Sequence, residues 1–91
     1  MRATVLTSVG AEPEVREYED PPAGDDGRVS VTVGAAGLNP VDLYIASGQM
    51  GEPSVPSVVG EEGVGTLDDG RRVYFNPSVG PFGSWAERTL V

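Results

Sequence analysis

Thirteen glycines and eight prolines are spread along a chain of 91 residues. Glycine loosens the backbone and proline removes a hydrogen-bond donor, so long helices and long unbroken strands are both disfavoured. What remains between the turn clusters is a series of short segments, most of them of strand length.

Residues 2–7 are rich in β-formers and predict a first strand. A turn follows over Ser8 to Pro13. Glu14 to Asp20 sets Val15 and Tyr18 among charges and predicts a second, exposed strand. Pro21 to Gly27 is a loop by composition. Polar and apolar residues then alternate from Arg28 to Val33, with Val29, Val31 and Val33 on one face, as in a half-buried strand. Gly34 to Gly37 is expected to interrupt it. Ser57 to Leu67 is an extended segment broken by glycines, and Asp69-Gly70 signals a hairpin leading into Arg72 to Phe75. Asn76 to Gly83 is a loop, and Ser84 to Val91 predicts a last strand.

One helix is expected, between Asn39 and Gly48. Asn39 suits the N-cap, where its side-chain oxygen can accept from free N–H groups of the first turn. Pro40 suits the first helical position, Asp42 opposes the dipole, and Gly48 suits the stop. Such a short helix has to lean on tertiary packing. Gln49 to Pro56 follows as a loop. About six strands and one short helix predict one mainly β domain over residues 1–91, a small, partly open β-barrel.

The chain has no cysteine and no histidine. Thiolate and imidazole metal sites and a Ser-His-Asp triad cannot be built from it. It has no lysine either, its six basic residues all being arginines, which excludes Schiff-base chemistry and a P-loop. A net charge of −8 repels a phosphate backbone, so no nucleic-acid partner is expected. No stretch has the apolar length of a membrane span. The start, Met1 to Ser8, reads as a strand rather than a secretion signal, and a cytoplasmic location is expected.

Four motifs in series carry a resemblance. Ala35-Ala36-Gly37-Leu38-Asn39-Pro40-Val41-Asp42-Leu43-Tyr44-Ile45-Ala46-Ser47-Gly48 resembles the A-G-x-N-x-x-D-x-Y-x-x-x-G signature of quinone oxidoreductases of the medium-chain dehydrogenase/reductase superfamily. Gly60-Glu61-Glu62-Gly63-Val64-Gly65 resembles the superfamily's G-H-E-x-x-G segment, Gly70-Arg71-Arg72-Val73 its G-D-R-V turn, and Gly83-Ser84-Trp85-Ala86-Glu87 its G-[ST]-[YW]-A-E strand. Order and spacing match over nearly the whole chain. The resemblance implies a GroES-like, partly open β-barrel. It is to the zinc-independent branch, because Asn39 stands where zinc-dependent relatives place a cysteine, and Glu61 where they place a histidine. The stretch between Gly65 and Gly70 is shorter than is usual in the family.

The resemblance also implies a site. Asn39 and Tyr44 match positions in the active-site cleft beside the nicotinamide, where they would act in catalysis and cofactor binding. Met50 stands where a second cleft tyrosine is usual. Met50, Glu61 and Glu62 are thus candidates for the substrate cleft, with no metal. Each candidate has a plainer reading. Asn39 is first a helix cap, and Tyr44, one turn after Pro40, could be core. Adjacent Glu61 and Glu62 point to opposite faces of an extended backbone, which argues against a facing acid–base pair. Gly63-Val64-Gly65 lacks a third glycine and a following helix, so it reads as a bend or a close backbone approach rather than a dinucleotide fingerprint. Trp85 and Phe75 read as core or domain-interface residues.

In that family hydride passes from NADPH, bound mainly by a separate Rossmann domain, to a small-molecule quinone or conjugated carbonyl. No strand-and-helix alternation of that kind occurs in these 91 residues, so the chain is expected to be the substrate-side domain, an excised domain or a partial product. Alone it is expected to turn over nothing. Homodimerisation is left open. Two other readings stand beside this one: a non-enzymatic β-barrel module for binding or assembly, and an enoyl-thioester reductase of the same superfamily.

Overall fold

The computed structural model describes residues 1–24 and 27–91; Asp25 and Asp26, in the loop expected over 21–27, lie outside them. In chain order the elements are β1 (Arg2–Leu6), β2 (Glu14–Glu17), β3 (Ser30–Ala36), α1 (Pro40–Ser47), β4 (Ser57–Val58), β5 (Gly63–Thr66), β6 (Arg72–Phe75) and β7 (Arg88–Leu90). Among the described residues seven strands thus replace the expected six, because the glycine-interrupted segment 57–67 forms two, β4 and β5. They lie in two sheets, ordered β2-β1-β4 and β6-β5-β3-β7, with every pairing antiparallel. The expected mainly β, partly open architecture is what the chain adopts.

Two expectations about strands need correction. Gly34 does not end β3. The strand runs on to Ala36, and its register against β5 shifts between Val33 and Ala35, so Gly34 sits in a bulge. On the expected valine face Val31 is fully buried and Val33 half-buried, but Val29 lies before the strand and is exposed. The last segment, 84–91, pairs regularly only at Arg88–Leu90. Its first half crosses to the other sheet instead. Ala86 bridges Ala3, the Thr4 N–H donates to the Trp85 carbonyl at 2.8 Å, and the Trp85 N–H donates to the Val59 carbonyl at 3.0 Å. Backbone groups that would be orphaned between two sheets are thereby paired, and the sheets are tied together.

Two hydrophobic clusters lie at the centre of the core. Ala3, Val5 and Val58 form one cluster, against which Met1, Tyr18 and Ala86 pack. Leu6, Ala46 and Val59 form a second, closed by Trp85. Successive residues of a strand face opposite ways, so Val5 and Leu6 feed different clusters, and the second draws α1 onto β1. Fully burying a Leu or Val contributes about 1.5–3 kcal/mol. Close strand approach depends on Gly65, where an added Cβ would lie 2.2 Å from the Thr32 carbonyl oxygen. That is the close approach expected of Gly63-Val64-Gly65. At the other extreme all of β2, including Val15, is exposed. Its charges, Glu14, Arg16 and Glu17, guard a sheet edge.

The helix has the expected bounds. Gly48 closes it in the left-handed region at φ 84°, with its N–H on the Ile45 carbonyl. Among the described residues no helix is long and apolar enough to cross a membrane.

Candidate active site

Three segments converge at the start of α1. The loop after β3 brings in Gly37 and Asn39, the approach to β5 brings in Glu62, and β6 brings in Tyr74. The Gly37 N–H donates to the Glu62 carbonyl at 2.9 Å, which carries the β3–β5 pairing one step beyond the strand ends. The Glu62 side chain then folds across Gly37. A Cβ there would lie 2.7 Å from Glu62 Cγ and 2.8 Å from Oε1, so the site needs glycine at this position.

Both Glu62 oxygens are engaged. Oε1 accepts from Asn39 Nδ2 at 2.6 Å, and Oε2 accepts from the Tyr74 hydroxyl at 2.7 Å. These two donors, Tyr74 above all, hold the Glu62 carboxyl below the usual carboxylate range, against a smaller opposing effect of desolvation. Glu62 is therefore an anion with a fixed pose at neutral pH. Trp85 supports the same loop from behind, its indole N–H donating to the Gly37 carbonyl at 2.9 Å.

Asn39 is the N-cap, with extended backbone at φ −117° and ψ 147°. Its bonding differs from the expectation. The cap is made chiefly by Asp42, whose Oδ2 accepts from the Asn39 N–H at 3.0 Å. The Asn39 side chain faces the Asp42 N–H in a capping-box arrangement, without a hydrogen bond of good geometry. That N–H donates to the Asn39 backbone carbonyl at 3.0 Å instead. The amide nitrogen donates to Glu62, and among the described residues nothing accepts from its second proton.

Asp42 is nearly fully buried, and its second oxygen, Oδ1, has no partner among the described residues. The N-terminal dipole of α1 offsets some of that cost. Glu61 is half-buried and lines, with Asp42, Ile45 and Ser57, a small cavity of about 40 Å³ under the helix. Its carboxyl is raised above the ordinary value, first by burial and then by the Asp42 charge. Glu61 and Glu62 thus make separate sets of contacts.

Tyr44 and Met50 are exposed, by 51% and 64%. Tyr44 is accordingly not a core residue, and among the described residues its hydroxyl has no partner. No hydrogen bond links Tyr44 or Met50 to Asn39 or Glu62 among those residues. The structure therefore joins Asn39 to Glu62, sets Glu61 beside Asp42, and leaves Tyr44 and Met50 on the surface.

Sequence reasoning missed Tyr74. The signal lay in register: Val64 pairs with Tyr74, so Glu62, two residues before Val64, is a diagonal neighbour within reach of a long side chain. That register could be read only after the hairpin had been placed. Trp85, expected in the core or an interface, packs on the Leu6 cluster and also bonds the Gly37 loop.

Residues 25–81 match the model of the alcohol dehydrogenase GroES-like domain. A quinone oxidoreductase of Pseudomonas aeruginosa is 36% identical over 87 residues, which span 82% of this chain and 26% of the relative. Among solved structures, the quinone oxidoreductase of Thermus thermophilus, described also in complex with NADPH, superimposes with a TM-score of 0.81 at 34% identity, over 100% of this chain and 30% of that one. A mycobacterial protein solved with NADPH superimposes with a TM-score of 0.86 at 26% identity, over 100% of this chain and 31% of that one. The chain therefore spans between a quarter and a third of the length of these relatives.

Proposed function

From the premise that the chain belongs to the alcohol dehydrogenase GroES-like domain family, we propose that it is the substrate-side domain of a cytoplasmic, zinc-independent, NADPH-dependent oxidoreductase acting on a quinone or conjugated carbonyl. The observation that carries this reading is the Asn39 amide held on Glu62 with one N–H to spare. A neutral amide at that position is a poor zinc ligand and a good hydrogen-bond donor.

Bound NADPH supplies the hydride, and a companion domain holds most of it. The residues of this chain act on the acceptor. The second N–H of Asn39 and the Tyr44 hydroxyl, which has no partner among the described residues, donate to a carbonyl oxygen and stabilise the negative charge that develops there. Exposed Leu43, Tyr44 and Met50 offer apolar surface to a flat substrate. The acceptor would gain the hydride, and its oxygen a proton from solvent.

The test is made on the protein as its own cells produce it. Its intact mass is expected to be several-fold that of the 91-residue chain, with saturable NADPH oxidation in the presence of 1,4-benzoquinone. Absence of oxidation with this and other quinones or enones would overturn the reading.

A further inference from the structure

We propose that Tyr74 is a positioning residue: acting through Glu62, it fixes which way the Asn39 amide faces and hence where its free N–H points. The inference rests on the reading of Asn39 as a donor to the acceptor carbonyl.

A side-chain amide can turn over, exchanging its oxygen and nitrogen at little steric cost, so its neighbours decide its orientation. Here the neighbour is a carboxylate. An ionised carboxylate only accepts, which requires the Asn39 nitrogen, not its oxygen, to face Glu62 Oε1 at 2.6 Å. A protonated Glu62 would donate instead and favour the reversed amide. The charge state and pose of Glu62 therefore set the orientation of Asn39. Tyr74 holds the pose, because its hydroxyl donates to Oε2 at 2.7 Å, and the same bond favours the ionised form. Among the described residues, Tyr74 is the one titratable side chain bonded to Glu62.

The Tyr74 ring contributes little to the core. The residue is 65% exposed, on the edge strand β6. Removing its hydroxyl leaves the buried clusters untouched, so a positioning role can be separated from a stabilising one. Gly37 completes the device, since the Glu62 side chain reaches Asn39 across the space a Cβ would occupy.

The test compares wild type with Tyr74→Phe. In ¹³C,¹⁵N-labelled wild type the Asn39 side-chain amide resonances should move together with the Glu62 carboxyl carbon, at a pH below the usual carboxylate range. In Tyr74→Phe the shared midpoint should move upward while the backbone spectrum keeps its pattern. Glu62→Gln should abolish the titration of the amide. An Asn39 amide indifferent to pH, or a midpoint unchanged by Tyr74→Phe, overturns the proposal. With NADPH and 1,4-benzoquinone, the protein from its native cells should lose about tenfold in kcat on Tyr74→Phe, with KM for NADPH unchanged. An unchanged kcat also overturns it. A wild-type protein inert toward NADPH and quinones sinks the functional reading alone, and the amide titration still decides the positioning.

Discussion

The Trp85 indole N–H donates to the Gly37 carbonyl oxygen at 2.9 Å, across 48 positions of sequence. This bond joins the segment that crosses between the sheets to the loop that presents Asn39. Trp85→Phe keeps an aromatic ring against Leu6 and Val59 but strands a part-buried carbonyl. The expected loss is about 1–3 kcal/mol of unfolding free energy, measured by urea denaturation. A loss within error would show that solvent satisfies the Gly37 carbonyl.

Gly65 and Gly37 should respond differently to alanine. At Gly65 the new Cβ meets backbone, the Thr32 carbonyl oxygen at 2.2 Å, and Gly65→Ala should be severely destabilising, by roughly 3 kcal/mol or more. At Gly37 it meets side-chain atoms of Glu62 rather than backbone. Gly37→Ala should fold with a smaller penalty and release Asn39, seen as loss of the pH dependence of its side-chain amide. Equal unfolding midpoints for the two variants would contradict this.

Neighbouring Glu61 and Glu62 should have opposite effects on the pH dependence of stability. The Glu62 carboxyl is lowered in the folded state, so its contribution is present above the unfolded value, about 4.3, and is lost as pH falls through the folded value. Glu61 is raised, so its charged form burdens the fold, and that burden grows as pH rises from the unfolded value through the folded one. Glu61→Gln should therefore stabilise the protein at pH 7 and not at pH 3. Glu62→Gln should destabilise it at pH 7, with the difference shrinking toward pH 3. Thermal unfolding across pH 3–7 checks both signs.

Tyr44→Phe should change stability by less than about 0.5 kcal/mol, because the residue is exposed and its hydroxyl has no partner among the described residues. Loss of a donor to the acceptor oxygen should lower kcat by about 10²-fold. Steady-state kinetics with NADPH and 1,4-benzoquinone reads this directly, and an unchanged kcat would place the substrate elsewhere.

Much of this was legible because it is local. Asn39-Pro40 and Gly48 bound α1 to the residue, Asp69-Gly70 marks the hairpin, β-forming composition locates β1, and alternation locates β3. The errors came where long-range pairing overrode local preference. Gly34 lies inside β3 because β5 pairs on both sides of the bulge. Residues 84–87 leave their expected strand because β1 and Val59 offer backbone partners from another sheet.

By itself, then, the sequence determined the β class, the single helix and its caps, and the motif order that led to Asn39 and Tyr44. Those depend on residues close together along the chain. Only the tertiary structure decided that Asp42 caps the helix while the Asn39 amide turns to Glu62, and that Tyr74 completes the arrangement. A side chain's partner depends on which segments meet in space. Asn39, Glu62 and Tyr74 meet only after β3, β5 and β6 have fallen into register.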